Sequence, residues 1–166
     1  MKRFLKTRFV LIICLTFGLV FALSSVVQAQ EGCSPGYWKH VDKHLASWEA
    51  AGFDDSDQSF ESVFGRVIEV RVKKKDQING LPTEPDPTLI QALNAPGGGI
   101  NALARQAVAA LLNADSPDVE YSLSSGEVIL IFQVAFKVGS KSAFEAAKNA
   151  FEGRNELVCP LNGDEV

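Results

Sequence analysis

The sequence predicts a mainly α-helical protein: a compact bundle of four to five helices, at most one short β-hairpin, and termini joined by one disulfide. Three observations carry that expectation. Apolar residues recur at spacings of three and four in several segments after residue 34. Capping residues precede those segments and glycines follow them. Two cysteines, Cys33 and Cys159, stand near opposite ends of the chain that follows an N-terminal export signal. The chain has 166 residues, 46% apolar and 22% charged, which is a globular composition.

Residues 1–29 have the pattern of a secretory signal. Lys2, Arg3, Lys6 and Arg8 make a basic start, and Phe9 to Val27 is nearly all apolar. Val27-Gln28-Ala29 supplies the modest side chains that a signal peptidase accepts, placing cleavage between Ala29 and Gln30. The alternative is a retained anchor, because the apolar run is long enough to cross a bilayer. Cleavage leaves 30–166 as a single helical domain, secreted or periplasmic, whose contact with a membrane is confined to export. Cys14 departs with the signal, and in an oxidising compartment Cys33 and Cys159 are expected to pair.

Charge narrows the partners. The whole chain carries a net −4. The first 29 residues hold four of its sixteen Lys and Arg and none of its twenty acids, so the remainder carries −8. An acidic surface of that kind does not suit nucleic acid, which needs a clustered positive face. The Lys73-Lys74-Lys75 run reads as a solvated turn.

The elements follow in order. Ser34-Pro35 opens a helix, and Tyr37, Trp38, Val41, Leu45 and Trp48 share one face of it until Gly52. Asp54 to Ser59 is an acidic loop; Ser59 caps a short turn, Phe60 to Phe64, which Gly65 stops. Val67 to Val72 alternates apolar and charged residues and reads as a strand, with Gln77-Ile78 as its nearest partner. Asp86-Pro87 opens a short helix through Leu93. Pro96-Gly97-Gly98-Gly99 reads as a tight turn; no Lys-Ser/Thr follows, so it lacks the phosphate-loop pattern.

Ile100 to Ala114 is the clearest helix, apolar around most of its circumference and therefore central. Its Arg105 needs an acidic or carbonyl partner, and an ion pair is the expected one. Ser124 and Glu127 form a capping box that opens a second central helix, ended by Gly139. Ser140 caps the last helix, with Phe144, Ala147 and Phe151 on one stripe and Gly153 as its end.

Gly32-Cys33-Ser34-Pro35-Gly36-Tyr37-Trp38-Lys39 resembles the Cys-Ser/Thr-Pro-Gly-Tyr/Phe-Trp-Lys start of a group of uncharacterised bacterial secreted proteins. The segment Leu103 to Ala114 is similar to their second recurrent stretch, and Val63-Phe64-Gly65 and Asp86-Pro87-Thr88-Leu89 fit the same pattern. Members of the group often carry Asn-His after the lysine, whereas His40 follows Lys39 directly here. The resemblance implies secretion and a single folded unit; it supplies no activity.

Candidate sites are few. His40 and His44 are the only histidines, and their spacing places both imidazoles on one helical face, where they could ligate a divalent metal with Asp57 or another aspartate of the 54–57 loop. The residue after His40 is Val41, which excludes the zinc-protease pattern. Asp55-Ser56-Asp57 starts like a calcium loop, but Phe60 and Arg66 stand where an EF-hand needs Gly and Glu. Tyr37, Trp38 and Trp48 form an aromatic group whose period assigns it to the core. No nucleophile motif is present. The sequence therefore favours a secreted non-catalytic structural or binding domain without a cofactor, recognising a protein or glycan at the cell surface. The alternative is a metal-dependent binding protein or enzyme. A further expectation is an oligomer formed through Val67 to Val72, should that strand lack a partner within the chain.

Overall fold

A computed structural model describes residues 30–53, 58–74 and 83–163. The signal segment, the Asp54–Asp57 loop and Gln77-Ile78 lie outside them. The described residues form seven α-helices, one two-stranded antiparallel sheet and a closing 3-10 turn, Pro160–Gly163. The helices are α1 (Pro35–Trp38), α2 (Val41–Ala50), α3 (Phe60–Phe64), α4 (Leu89–Asn94), α5 (Ile100–Asp115), α6 (Ser125–Val138) and α7 (Lys141–Asn155); the strands are β1 (Glu69–Arg71) and β2 (Thr83–Pro85). Among these residues no helix is long and apolar enough to cross a membrane. The disulfide joins Cys33 to Cys159 across 126 residues of chain.

Helix α5 is the axis. Its alanines let neighbours approach on every side, and it packs against α7, α6, α4, α1 and β1. Twelve of its residues are buried, Asn101, Gln106 and Asn113 among them. Helix α6, expected to be equally central, lies at the periphery. It turns only Val128, Phe132 and Ala135 fully inward, at spacings of four and three, and leaves Leu130, Val134 and Val138 more than half exposed. Phe132 closes an aromatic cluster with the stacked pair Phe60 and Phe64 of α3, at centroid distances of 5.0 and 5.1 Å. Gln133 Nε2 donates to the Phe64 carbonyl at 2.9 Å, tying the end of α3 to α6.

Several boundaries differ from the sequence expectation. The first helix is two helices, broken at Lys39 and His40. The Trp38 carbonyl accepts from Trp48 Nε1 at 3.0 Å, and His40 has left helical geometry. Leu45 consequently faces solvent, 48% exposed, and is not part of the buried stripe. The strand pairs with Thr83–Pro85, in register Val70 opposite Glu84. Pro85 fits because β2 is an edge strand. The oligomer expectation rested on an unpaired β1. One edge of β1 holds β2, and Arg71 N donates to Asn101 Oδ1 at 2.7 Å. Thr88, not Asp86, caps α4, through a capping box with Gln91. Asp86 instead takes the left-handed conformation (φ 48°) and accepts from the Glu61 amide, joining the hairpin to α3. Helix α7 runs through Gly153 to Asn155, whose amide is anchored on α5.

The capping box of α6 formed as the sequence predicts. Ser124 Oγ accepts from the Glu127 amide, and the Glu127 carboxylate accepts from the Ser124 backbone and hydroxyl, both at 2.8 Å. The Ser124 backbone N–H, and then its hydroxyl, holds the Glu127 carboxyl below its ordinary range. A depressed folded-state pKa means that the stabilisation is present at neutral pH. It is lost as pH falls from about 4.3, the unfolded value, toward the folded value. Amide-exchange protection of residues 125–128 is expected to decline in that window, whereas Glu127→Gln keeps a capping partner and removes the pH dependence. Equal pH profiles for the two proteins would show that the carboxylate is not the controlling group.

Candidate functional site

The sequence placed its candidate residues from Cys33 onward, and the structure shows what that segment touches. Cys33 is fully buried and Gly32 runs against α7: a Cβ at Gly32 would overlap the Arg154 carbonyl, so only glycine fits without a shift. Beyond them the buried side chain of Asn113, one turn before the end of α5, makes four hydrogen bonds. Its Oδ1 accepts from the Cys33 amide at 2.9 Å and from Trp38 Nε1 at 3.0 Å. Its Nδ2 donates to the Cys33 carbonyl at 2.9 Å and to Asn155 Oδ1 at 3.1 Å. Asn155 continues the chain of bonds. It accepts from the Tyr121 hydroxyl at 2.7 Å, and its Nδ2 donates to the Gln106 carbonyl and side chain at 2.9 and 2.8 Å. A buried amide costs stability unless its donors and acceptors are met, and here each amide oxygen accepts two bonds and each nitrogen donates two.

The aromatic residues of the motif have distinct fates. Trp38 and Trp48 are fully buried, edge to face at 6.4 Å, and belong to the core as their period implied. Tyr37 lies at the core's margin. It meets Trp38 edge-on, shares a hydrogen bond between its hydroxyl and Ser47 Oγ at 2.9 Å, and carries the His44 ring stacked on its own at 3.7 Å between centroids. His44 sits at a kink of α2 (φ −120°, ψ 30°), which the ring stack accommodates.

Tyr37, His40, Lys43 and His44 form one wall of an open cleft of about 830 Å³. The segment 155–159, ending at the disulfide, forms the other, with Asn162 beside it. The two histidines border one cleft, although His40 precedes α2 and His44 sits at its kink, so a regular helical face does not place them. Asp57 lies outside the described residues, and among those residues no three His, Cys, Asp or Glu converge in a way that could hold a metal ion. The cleft offers imidazole and ammonium donors, an aromatic face and a run of backbone opposite. That combination suits a polar ligand with one flat face.

Arg105 also departs from expectation. Its Nη1 donates to the carbonyls of Ala95 and Gly97, so it holds the glycine-rich turn, and it makes no ion pair among the described residues. Burial lowers its pKa, with a smaller opposing effect from Glu152, whose carboxylate is itself bonded to Lys148 at 2.7 Å. Sequence reasoning missed Asn113, Asn155 and Gln106. The available signal was three amides on otherwise apolar helical faces. No family model matches the sequence, and neither the curated proteins nor the solved structures contain a match to it.

Two outcomes are expected here. Asn113→Leu strips partners from the Cys33 amide, the Cys33 carbonyl, the Trp38 indole and Asn155. It should destabilise the protein by about 3–4 kcal/mol in urea unfolding; a loss below about 1 kcal/mol would mean that the network contributes little. Burial raises the Tyr121 phenol well above its ordinary value, the field of Arg154 opposing. The unfolded chain ionises there first, so stability should fall as pH rises past about 10. Tyr121→Phe removes that alkaline loss, and a wild-type Tyr121 that ionises without unfolding would overturn the assignment.

Proposed function

We propose that the protein is an exported, non-catalytic binding domain whose ligand face is the cleft between Tyr37, His40, Lys43 and His44 and the segment 155–159. The carrying observation is the division of labour within one motif. Cys33 and Trp38 are bonded into the core through Asn113, while Tyr37 and the two histidines line the opening. The buried residues of the motif set the position of His40 and His44, which follow it. Cys159 lines the cleft, and its disulfide with Cys33 supports export to an oxidising compartment, where such a bond persists. Tyr37 is buried and braced by Trp38 and Ser47, and the His44 ring stacked on it is thereby held as a preorganised surface, which favours a glycan or peptide of the cell surface as ligand. The resemblance to secreted bacterial proteins points the same way.

A second reading is favoured by one observation, that His40 and His44 line the same cleft. In it, both imidazoles and an aspartate of the 54–57 loop hold a divalent metal, which would supply Lewis-acid or bridging chemistry for a ligand.

One set of measurements separates the two. Native mass spectrometry of the protein recovered from its secreting cell, with and without chelator, reports bound metal directly. The binding-domain reading expects no chelator-sensitive mass, and saturable capture on an array of surface glycans and peptides. Lys43→Ala and His44→Ala should reduce that capture about tenfold, as loss of a charged or stacking contact at a central position does, without lowering the melting temperature by more than a few degrees. A stoichiometric, chelator-sensitive increment lost in His40→Ala would establish the metal reading instead. Capture unchanged in both variants would exclude this cleft as the ligand face.

A further inference from the structure

Helix α1 separates two clefts. Beyond the one just described, its Gly36 and Lys39 border a second of about 340 Å³, walled by Lys73 after β1 and by the 93–97 turn with Arg105 behind it. Among the described residues its lining contains three cationic side chains and no carboxylate. A fourth cation stands at the rim: the Arg71 guanidinium is placed 3.6 Å from where a Gly97 Cβ would be. Among the described residues the one ion pair is Lys148 with Glu152, so no described carboxylate lies within 4.0 Å of the four, and Glu152 acts on Arg105 from farther away. This happens in a chain whose net charge is −4.

Three separate segments converge to build this patch. Lys39 follows α1, Arg71 ends β1, Lys73 follows it, and Arg105 projects from α5. Arg105 is half-buried and its Nη1 is committed to the Ala95 and Gly97 carbonyls, so its position is fixed. A guanidinium has five N–H donors, and Nη1 carries two of them; three remain for a ligand. Lys39 and Lys73 are exposed and supply mobile point charges. Like charges gathered in one cleft repel one another, and an anion between them offsets that cost.

We infer that this cleft binds an oxyanion of the phosphate class, either free or as the monoester of a small molecule. Two features select that class. A single carboxylate brings one negative charge and two oxygens, whereas a phosphate brings up to two charges and at least three oxygens, which better matches a guanidinium fork flanked by two ammonium groups. The volume suits a compact group and not an extended chain. The site is independent of the His40 and His44 cleft and stands or falls separately from it. It also differs from a phosphate loop, because side chains from distant segments, and not a lysine following the glycines, provide the charge.

The test is an amide chemical-shift titration of the purified protein with sodium phosphate at constant ionic strength, with glucose 6-phosphate as a second arm. Saturable shifts are expected at residues 36–39, 94–98 and 105. The Lys39→Ala/Lys73→Ala double variant should bind about tenfold more weakly, the scale expected for losing two charge-assisted contacts on a partly exposed site. Its melting temperature should be unchanged, since both lysines are exposed. Lys137→Ala, an exposed lysine at the far end of α6, should bind as the parent does. Tighter binding of the sugar phosphate assigns the site to an ester, and equal binding assigns it to the free anion. Shifts that rise linearly without saturating, or affinity unchanged in the double variant, would overturn the inference.

Discussion

The side chain of Asn113 ties together parts of the chain that lie far apart in sequence. One amide group reaches the backbone of Cys33, the indole of Trp38 and the amide of Asn155. Those partners belong to the start of the domain, the first helix and the end of the last helix. A buried amide tolerates few arrangements, since each donor or acceptor left unmet costs about as much as a hydrogen bond contributes. The network therefore does more than add stability. It specifies where the first helix sits on α5 and how far α7 runs before turning toward Cys159.

The disulfide acts on the same junction from the covalent side. Closing a loop of 126 residues restricts the unfolded chain, by roughly 4–5 kcal/mol in the chain-entropy picture. The Asn113 network then defines the folded side of that equilibrium. Gly32 shows how tight the junction is, since its Cα lies against the Arg154 carbonyl with no room for a methyl group. A closure of this kind makes the terminal segments the best-anchored part of the domain. Both clefts border that anchored region, and this is where a binding surface gains most from being rigid.

Helix α1 is the divider between the clefts. Tyr37, His40, Lys43 and His44 border the histidine side, whereas Gly36 and Lys39 border the cationic side. The break after Trp38 allows this. A continuous helix would carry Lys39, His40 and His44 on one regular spiral, but the Trp38 carbonyl is taken by the Trp48 indole and the chain turns at His40. The two tryptophans thus contribute to function only indirectly, by setting the angle at which the polar residues leave the core.

Much of the architecture was legible in the chain itself. The Ser59, Ser124 and Ser140 caps, the Gly65 and Gly139 stops, the long α5 and the Cys33–Cys159 pairing all follow from local hydrogen bonding, helical period and cysteine count. These signals are readable because the atoms involved lie within about four residues of one another, or because pairing leaves only one choice. What only the tertiary structure decided involves longer range. Asn113 meets Cys33 across 80 positions and Asn155 across 42. The break at His40, the choice of Thr83–Pro85 as strand partner, the peripheral place of α6 and the gathering of Lys39, Lys73 and Arg105 are of the same kind. Each is settled by which buried polar group finds a partner or which surface is covered, and no local period encodes that.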